Sequence, residues 1–121
     1  MLKPMEDIYE FTIHGKCIPK ARPRFSGHAY TPIKYKEWKD NAIKQLSQQY
    51  RGQPLNDCAI RIIFYGNHRG DLDNLAGAVL DALTQAKIIK DDSLKHVKHL
   101  EIIHKGADCI SVNIICNAIY N

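Results

Sequence analysis

The stretch GDLDNLAGAVLDAL, Gly70 to Leu83, opens with two carboxylates, Asp71 and Asp73, beside Asn74. A second pair, Asp91 and Asp92, follows in KDDS, Lys90 to Ser93. Helix capping accounts for one of the first three, because Asp and Asn side chains satisfy the unpaired N–H groups of a first helical turn. Three in four positions exceed what a cap needs, and crowded carboxylates repel unless a cation neutralises them. A hard divalent ion suits such a set. Mg²⁺ takes oxygen ligands, uses few protein carboxylates and fills its octahedral shell with water or phosphate. There it would polarise a phosphodiester, generate hydroxide and steady a leaving oxygen. No HExxH pattern or CxxC pair competes with this chemistry.

The elements must then bring the acids together. Leu72, Leu75, Ala76, Val79, Leu80 and Leu83 form one apolar helical stripe. At about 100° per residue, Asp73 lies at the edge of that stripe and Asp81 opposite it, while Asp71 precedes the helix. The helix is about 20 Å long. Asp92 therefore reaches Asp73 only if the Asp91–Asp92 pair lies several residues along a strand returning antiparallel to the helix. Spacing permits this and does not require it.

Other elements follow from periodicity. Tyr9, Phe11 and Ile13 alternate with polar residues as a half-buried strand. Thr31-Pro32 supplies an N-cap and a first-turn proline. Tyr35, Trp38, Ala42, Leu46 and Tyr50 recur at helical spacing until Gly52 and Pro54. DCAIRIIFYGN reads as a buried strand. LKHVKHLEIIHKG and DCISVNIICNA read as two strands forming a hairpin, turned at Gly106. The order is β-α-β-α-β-β: an α+β fold, about four strands in a mixed sheet with two helices against one face, as a single domain over residues 1–121.

The 121 residues include 17 Lys and Arg against 13 Asp and Glu, a net charge of +4. From Lys16 to Lys39 the only acid is Glu37. A basic region suits a polyanion and an acidic region suits cations; a nuclease needs both. In PKARPRF, Lys20, Arg22 and Arg24 flank Pro23, which limits the freedom of the loop that presents them. Their cationic groups match phosphate oxygens. His68 and Arg69 precede the first acid, within reach of it or of DNA. His96, His99 and His104 fall on one presumed strand and cannot all share a face. Cys17, Cys58, Cys109 and Cys116 read as small, reduced core residues. No apolar run approaches a membrane span, and MLKPMEDIYE has no signal-peptide core. These features point to a soluble, cytoplasmic protein.

DLDNLAGAVLDAL followed by IIKDDS, with PKARPRF and AYTP upstream, resembles the RusA family of Holliday junction resolvases. The likeness runs from about Ile18 to about Val97 in the family's order. It implies a small α+β homodimer, bacterial or phage-encoded, that cuts four-way junction DNA with Mg²⁺, Mn²⁺ being a possible substitute. It carries catalytic and metal-binding roles onto Asp71, Asp73 and Asp92, with Asp91 as a further metal neighbour. The basic loop, read beside the family pattern, gives DNA binding to Lys20, Arg22 and Arg24, and the place of Arg69 before the first acid adds it to them. Many similar chains have a lysine one helical turn after the second aspartate; here that position is Gly77. A lysine there steadies developing charge. Its absence implies a substitute such as Lys87 or Lys90, lower activity, or a junction-binding protein that does not cut.

Overall fold

The computed structural model describes residues 5–20, 24, 25, 29, 30 and 32–120, and side chains within 7–20 and 32–118. The chain runs through β1 (Met5–His14), β2 (Arg24–Phe25), β3 (Ala29–Tyr30), α1 (Ile33–Gln49), β4 (Cys58–Tyr65), α2 (Leu72–Gln85), β5 (Val97–Lys105) and β6 (Ser111–Tyr120). The major elements keep the expected β-α-β-α-β-β order. The two-residue strands β2 and β3 add a small antiparallel ribbon within the basic loop. Helix α1 begins one residue later than the proline signal suggests, with Pro32 in the N-cap position. Thr31 is outside the described residues.

Four strands form a mixed sheet in the order β1-β6-β4-β5. Only β4 and β5 are parallel; β6 pairs antiparallel with both β1 and β4. Alternation sends Phe11 and Ile13, Ile60, Ile62 and Phe64, and Val112, Ile114 and Cys116 to the buried side. There they meet Tyr35, Trp38, Ala42 and Leu46 of α1 and Leu75, Val79 and Leu83 of α2 in one core. Each large side chain buried in this way stabilises the fold by about 1.5–3 kcal/mol. The opposite face carries polar cross-strand pairs: Asn113 donates to Glu10, and Arg61 pairs with Glu101 at 3.1 Å.

The expected β5–β6 hairpin does not form. β5 joins β4 through the α2 crossover, and β6 lies on the other side of β4. The β5–β6 connection therefore crosses the end of β4 at Gly66. A Cβ there would stand 2.8 Å from the Cys109 carbonyl oxygen, and the residue has φ +91°. Only glycine fits that crossing. Alternation fixes which face a residue takes, but not which strand lies beside it.

Helix α2 is buried more broadly than its apolar stripe suggests. Ala78 and Ala82 are fully buried as well, while Leu72 is 43% exposed at the helix start. Small residues let α2 pack closely against both the sheet and α1. A side-chain tie joins the two helices: Tyr35 Oη donates to Asp81 Oδ2 at 2.9 Å, and Lys39 lies 3.3 Å from the same oxygen. Burial alone would raise the Asp81 carboxyl, but Tyr35, Lys39 and Lys20 outweigh it and hold it below the usual range. Asp81 thus serves a helix–helix contact. Among the cysteines, Cys17, Cys58 and Cys116 are buried, as expected; Cys109 is exposed in the β5–β6 connection, contrary to its core reading. Burial raises the Cys58 thiol to about 11 and those of Cys17 and Cys116 to about 12, so all three stay neutral.

Candidate active site

The acid-bearing turn leaves the C-terminal end of β4. Gly70 carries it into α2 with φ +116°. A Cβ on Gly70 would also stand 2.6 Å from Pro19 Cγ, so the turn and the segment after β1 pack together there. Asp71 occupies the N-cap position with extended backbone, yet its side chain makes no capping hydrogen bond. Asp73 accepts a hydrogen bond from the Asn74 amide at 2.8 Å. Both acids are exposed, and neither has an ion-pair partner among the described residues. Two exposed carboxylates at a helix N-terminus offer oxygen donors of the type and number that suit Mg²⁺.

Basic residues approach along the segment leaving β1. The Cys17 amide donates to His68 Nδ1 at 3.2 Å. The Lys20 amide donates to the Asn74 carbonyl at 2.9 Å. The Lys20 stem then lies across Gly77: a Cβ on the glycine would be 3.5 Å from Lys20 Cδ and 3.7 Å from its Cβ. The ammonium is near enough to help lower the Asp81 carboxyl. A lysine from elsewhere in the same chain thus lies over the glycine in the middle of α2, at a distance a methyl group would meet as an ordinary contact. Arg69 is exposed in the acid-bearing turn. Arg22, and the side chain of Arg24, lie outside the described residues.

The second acid pair lies elsewhere. Ile89 bridges Leu55, ahead of β4, and β5 starts at Val97 beside Cys58, the first residue of β4. Asp91 and Asp92 fall between those two contacts, at the N-terminal end of β4. Asp71 and Asp73 follow its C-terminal end. The pair precedes the returning strand, so the condition for convergence with Asp73 is not met. Roughly 20 Å, the length of α2, separates the two acid groups within one chain. Among the described residues no three His, Cys, Asp or Glu side chains gather as a metal site. Lys87 and Lys90 lie at the far end too, so neither is the neighbour of Gly77.

At that far end Asp91 is engaged locally. It accepts the Ser93 amide at 2.9 Å and lies 3.7 Å from His96 Nε2. Hydrogen bonding to Ser93, more than any other influence, holds its carboxyl below the usual range. Asp92 is exposed. His96 lies in the turn before β5, its Nδ1 3.0 Å from the Asn56 carbonyl oxygen, and not on the strand. His99 and His104 are exposed residues of β5.

His68 departs furthest from its expected place. It is neither paired with the acids nor open to a ligand but 9% exposed, the one buried polar side chain among the described residues. Besides the Cys17 amide it meets the Ser111 carbonyl oxygen, 3.0 Å from Nε2. Sequence offered no signal for this, because its partners stand 51 and 43 positions away.

The family profile described as "Endodeoxyribonuclease RusA" matches residues 14–115. The "Crossover junction endodeoxyribonuclease RusA" of Aquifex aeolicus (strain VF5) is 27% identical over 122 residues, covering 94% of this chain and 95% of that protein. No helix among the described residues is long and apolar enough to cross a membrane. The matched segment begins at the end of β1 and ends within β6, so it takes in the acid-bearing turn, α2 and the segment that lays Lys20 across it, and the chain belongs to the RusA family of endodeoxyribonucleases.

Proposed function

We propose that the protein is a Mg²⁺-dependent, structure-selective endodeoxyribonuclease that resolves four-way DNA junctions as a homodimer. The observation that carries this reading is the uncapped Asp71 carboxylate beside Asp73 at the start of α2, with Lys20 laid along the same helix. Asp71 and Asp73 would hold the metal, which supplies charge stabilisation to a phosphodiester when bound. The chain's own residues do the rest. Lys20, Arg22, Arg24 and Arg69 hold phosphates and place the scissile strand over the acids. Asp71, which makes no capping hydrogen bond, keeps its carboxylate available to the metal. The chain's bacterial relative suits a cytoplasmic enzyme.

Dimerisation has two roles in this reading. A twofold axis presents two equivalent sites to two symmetric strands. It also resolves the separation of the acids: an antiparallel partner sets its own Asp92 end against the Asp71–Asp73 end of the first chain. Each metal site would then draw Asp71 and Asp73 from one protomer and Asp92 from the other, with Asp91 orienting the turn beside it.

The test is a labelled synthetic four-way junction offered with Mg²⁺, with Mn²⁺ and with EDTA, beside duplex DNA and RNA. Paired nicks in the junction that depend on the ion are expected. Binding without nicking in any metal would sink the enzymatic reading. In the same assay without metal, Arg22→Ala and Arg24→Ala are each expected to flatten the salt dependence of junction binding by a slope of about 0.9, one phosphate contact each. An unchanged slope in the double variant would remove these residues from the interface.

A further inference from the structure

We infer that His68 is a positioning residue that latches the Lys20 segment to the acid-bearing turn. The inference rests on the reading of that turn as the nuclease site. Both ring nitrogens of His68 are spent on main-chain groups from separate segments: Nδ1 on the Cys17 amide at 3.2 Å, Nε2 on the Ser111 carbonyl at 3.0 Å. A nitrogen that accepts from an N–H carries no proton of its own, so the two bonds together require the neutral ring with its hydrogen on Nε2. Phe64 meets the ring edge-on at 5.4 Å between centroids and fixes its plane.

The placement gives these bonds a consequence beyond filling the core. Leucine or phenylalanine would fill the volume but leave the Cys17 N–H and the Ser111 carbonyl without this partner. The Cys17 bond instead begins a series of contacts along one segment. Cys17 is held by His68, Pro19 packs on Gly70, Lys20 donates to Asn74, and the Lys20 stem crosses Gly77. Ser111 ties the same imidazole to β6, so the ring sits at a fixed height above the sheet. His68 therefore holds the start of the segment whose Lys20 crosses α2 beside the acid-bearing turn, without touching substrate.

Two isosteric variants separate the two bonds. His68→Asn keeps an acceptor near the position of Nδ1 and loses the reach to Ser111. His68→Gln keeps a donor near the position of Nε2 and loses the Cys17 bond. Amide hydrogen exchange of the metal-free chain reads the latch directly, and nicking of a four-way junction at saturating Mg²⁺ reads its effect. In His68→Gln the Cys17 and Lys20 amides are expected to exchange about tenfold faster, the factor one hydrogen bond carries, with kcat falling about tenfold and KM changing less. In His68→Asn the protection of both amides and most of the rate remain. A purely structural role predicts the opposite pattern: similar melting losses in both variants and protection lost evenly across β4 and β6. Equal exchange at Cys17 and Lys20 in the two variants overturns the inference. If the wild-type chain does not nick at all, the nuclease reading falls, while the exchange measurement still decides the latch.

Discussion

Chains carrying Asp73→Asn and chains carrying Asp92→Asn are each expected to be inactive alone and to regain nicking when mixed. Loss of an outer-shell partner already costs 10–100-fold in metal affinity or activity, so loss of a direct ligand is expected to cost more than about 100-fold. In a mixed dimer one site has both substitutions and the other has neither, if each site takes Asp73 from one protomer and Asp92 from its partner. Random exchange of protomers makes about half of the dimers mixed, so about a quarter of all sites regain a full set. The nicks should be unpaired, since a mixed dimer has only one live site. Asp73→Asn mixed with Asp71→Asn should stay inactive, because those two acids come from the same chain end. Neither substitution should weaken junction binding in EDTA, as removing negative charge beside phosphates does not oppose association. If the Asp73→Asn and Asp92→Asn mixture stays dead while protomer exchange is demonstrated by mass, the site is not shared. If Asp73→Asn alone cuts near the wild-type rate, the acid has no catalytic role.

What the sequence could reveal depended on how far apart the interacting residues stand. Periodicity exposed both helices and the main strands, because each repeats its burial within a few residues: Tyr35, Trp38, Ala42 and Leu46 are all buried on α1 as their spacing required. Strand neighbours left no such trace, so β5 and β6 looked like a hairpin although β4 lies between them. The acids were legible as a composition anomaly. Their grouping was not, since it turns on where β5 begins, and the Asp91–Asp92 turn ends before Val97. His68 looked like a loop residue because both its partners are main-chain atoms, which any sequence provides. Gly77 drew attention to one face of α2, and the group that crosses it is Lys20, 57 positions away, which no local pattern could name.

That approach sets the second large effect. Lys20→Ala is expected to slow junction cleavage about 10²-fold, the usual cost of removing one group aimed at developing charge. Gly77→Ala tests the space alone. Its Cβ would meet Lys20 Cδ at 3.5 Å, an ordinary contact, so the lysine stays in place. The chain then gains the helix propensity that glycine lacks, about 1 kcal/mol, and melts a few degrees higher with its rate unchanged. Gly77→Lys is different, because its stem must extend through the space that Lys20 occupies. In the native background it displaces Lys20 and slows cleavage. In the Lys20→Ala background the same substitution meets no competing stem and restores a cation one turn from Asp73. The double variant should therefore cut faster than Lys20→Ala alone, an interaction between the two positions that independent sites would not show. Single-turnover rates for the four variants on one junction measure it. A Lys20→Ala chain within twofold of wild type would show that the site works without this lysine. A double variant no faster than Lys20→Ala would show that the two positions do not share one role.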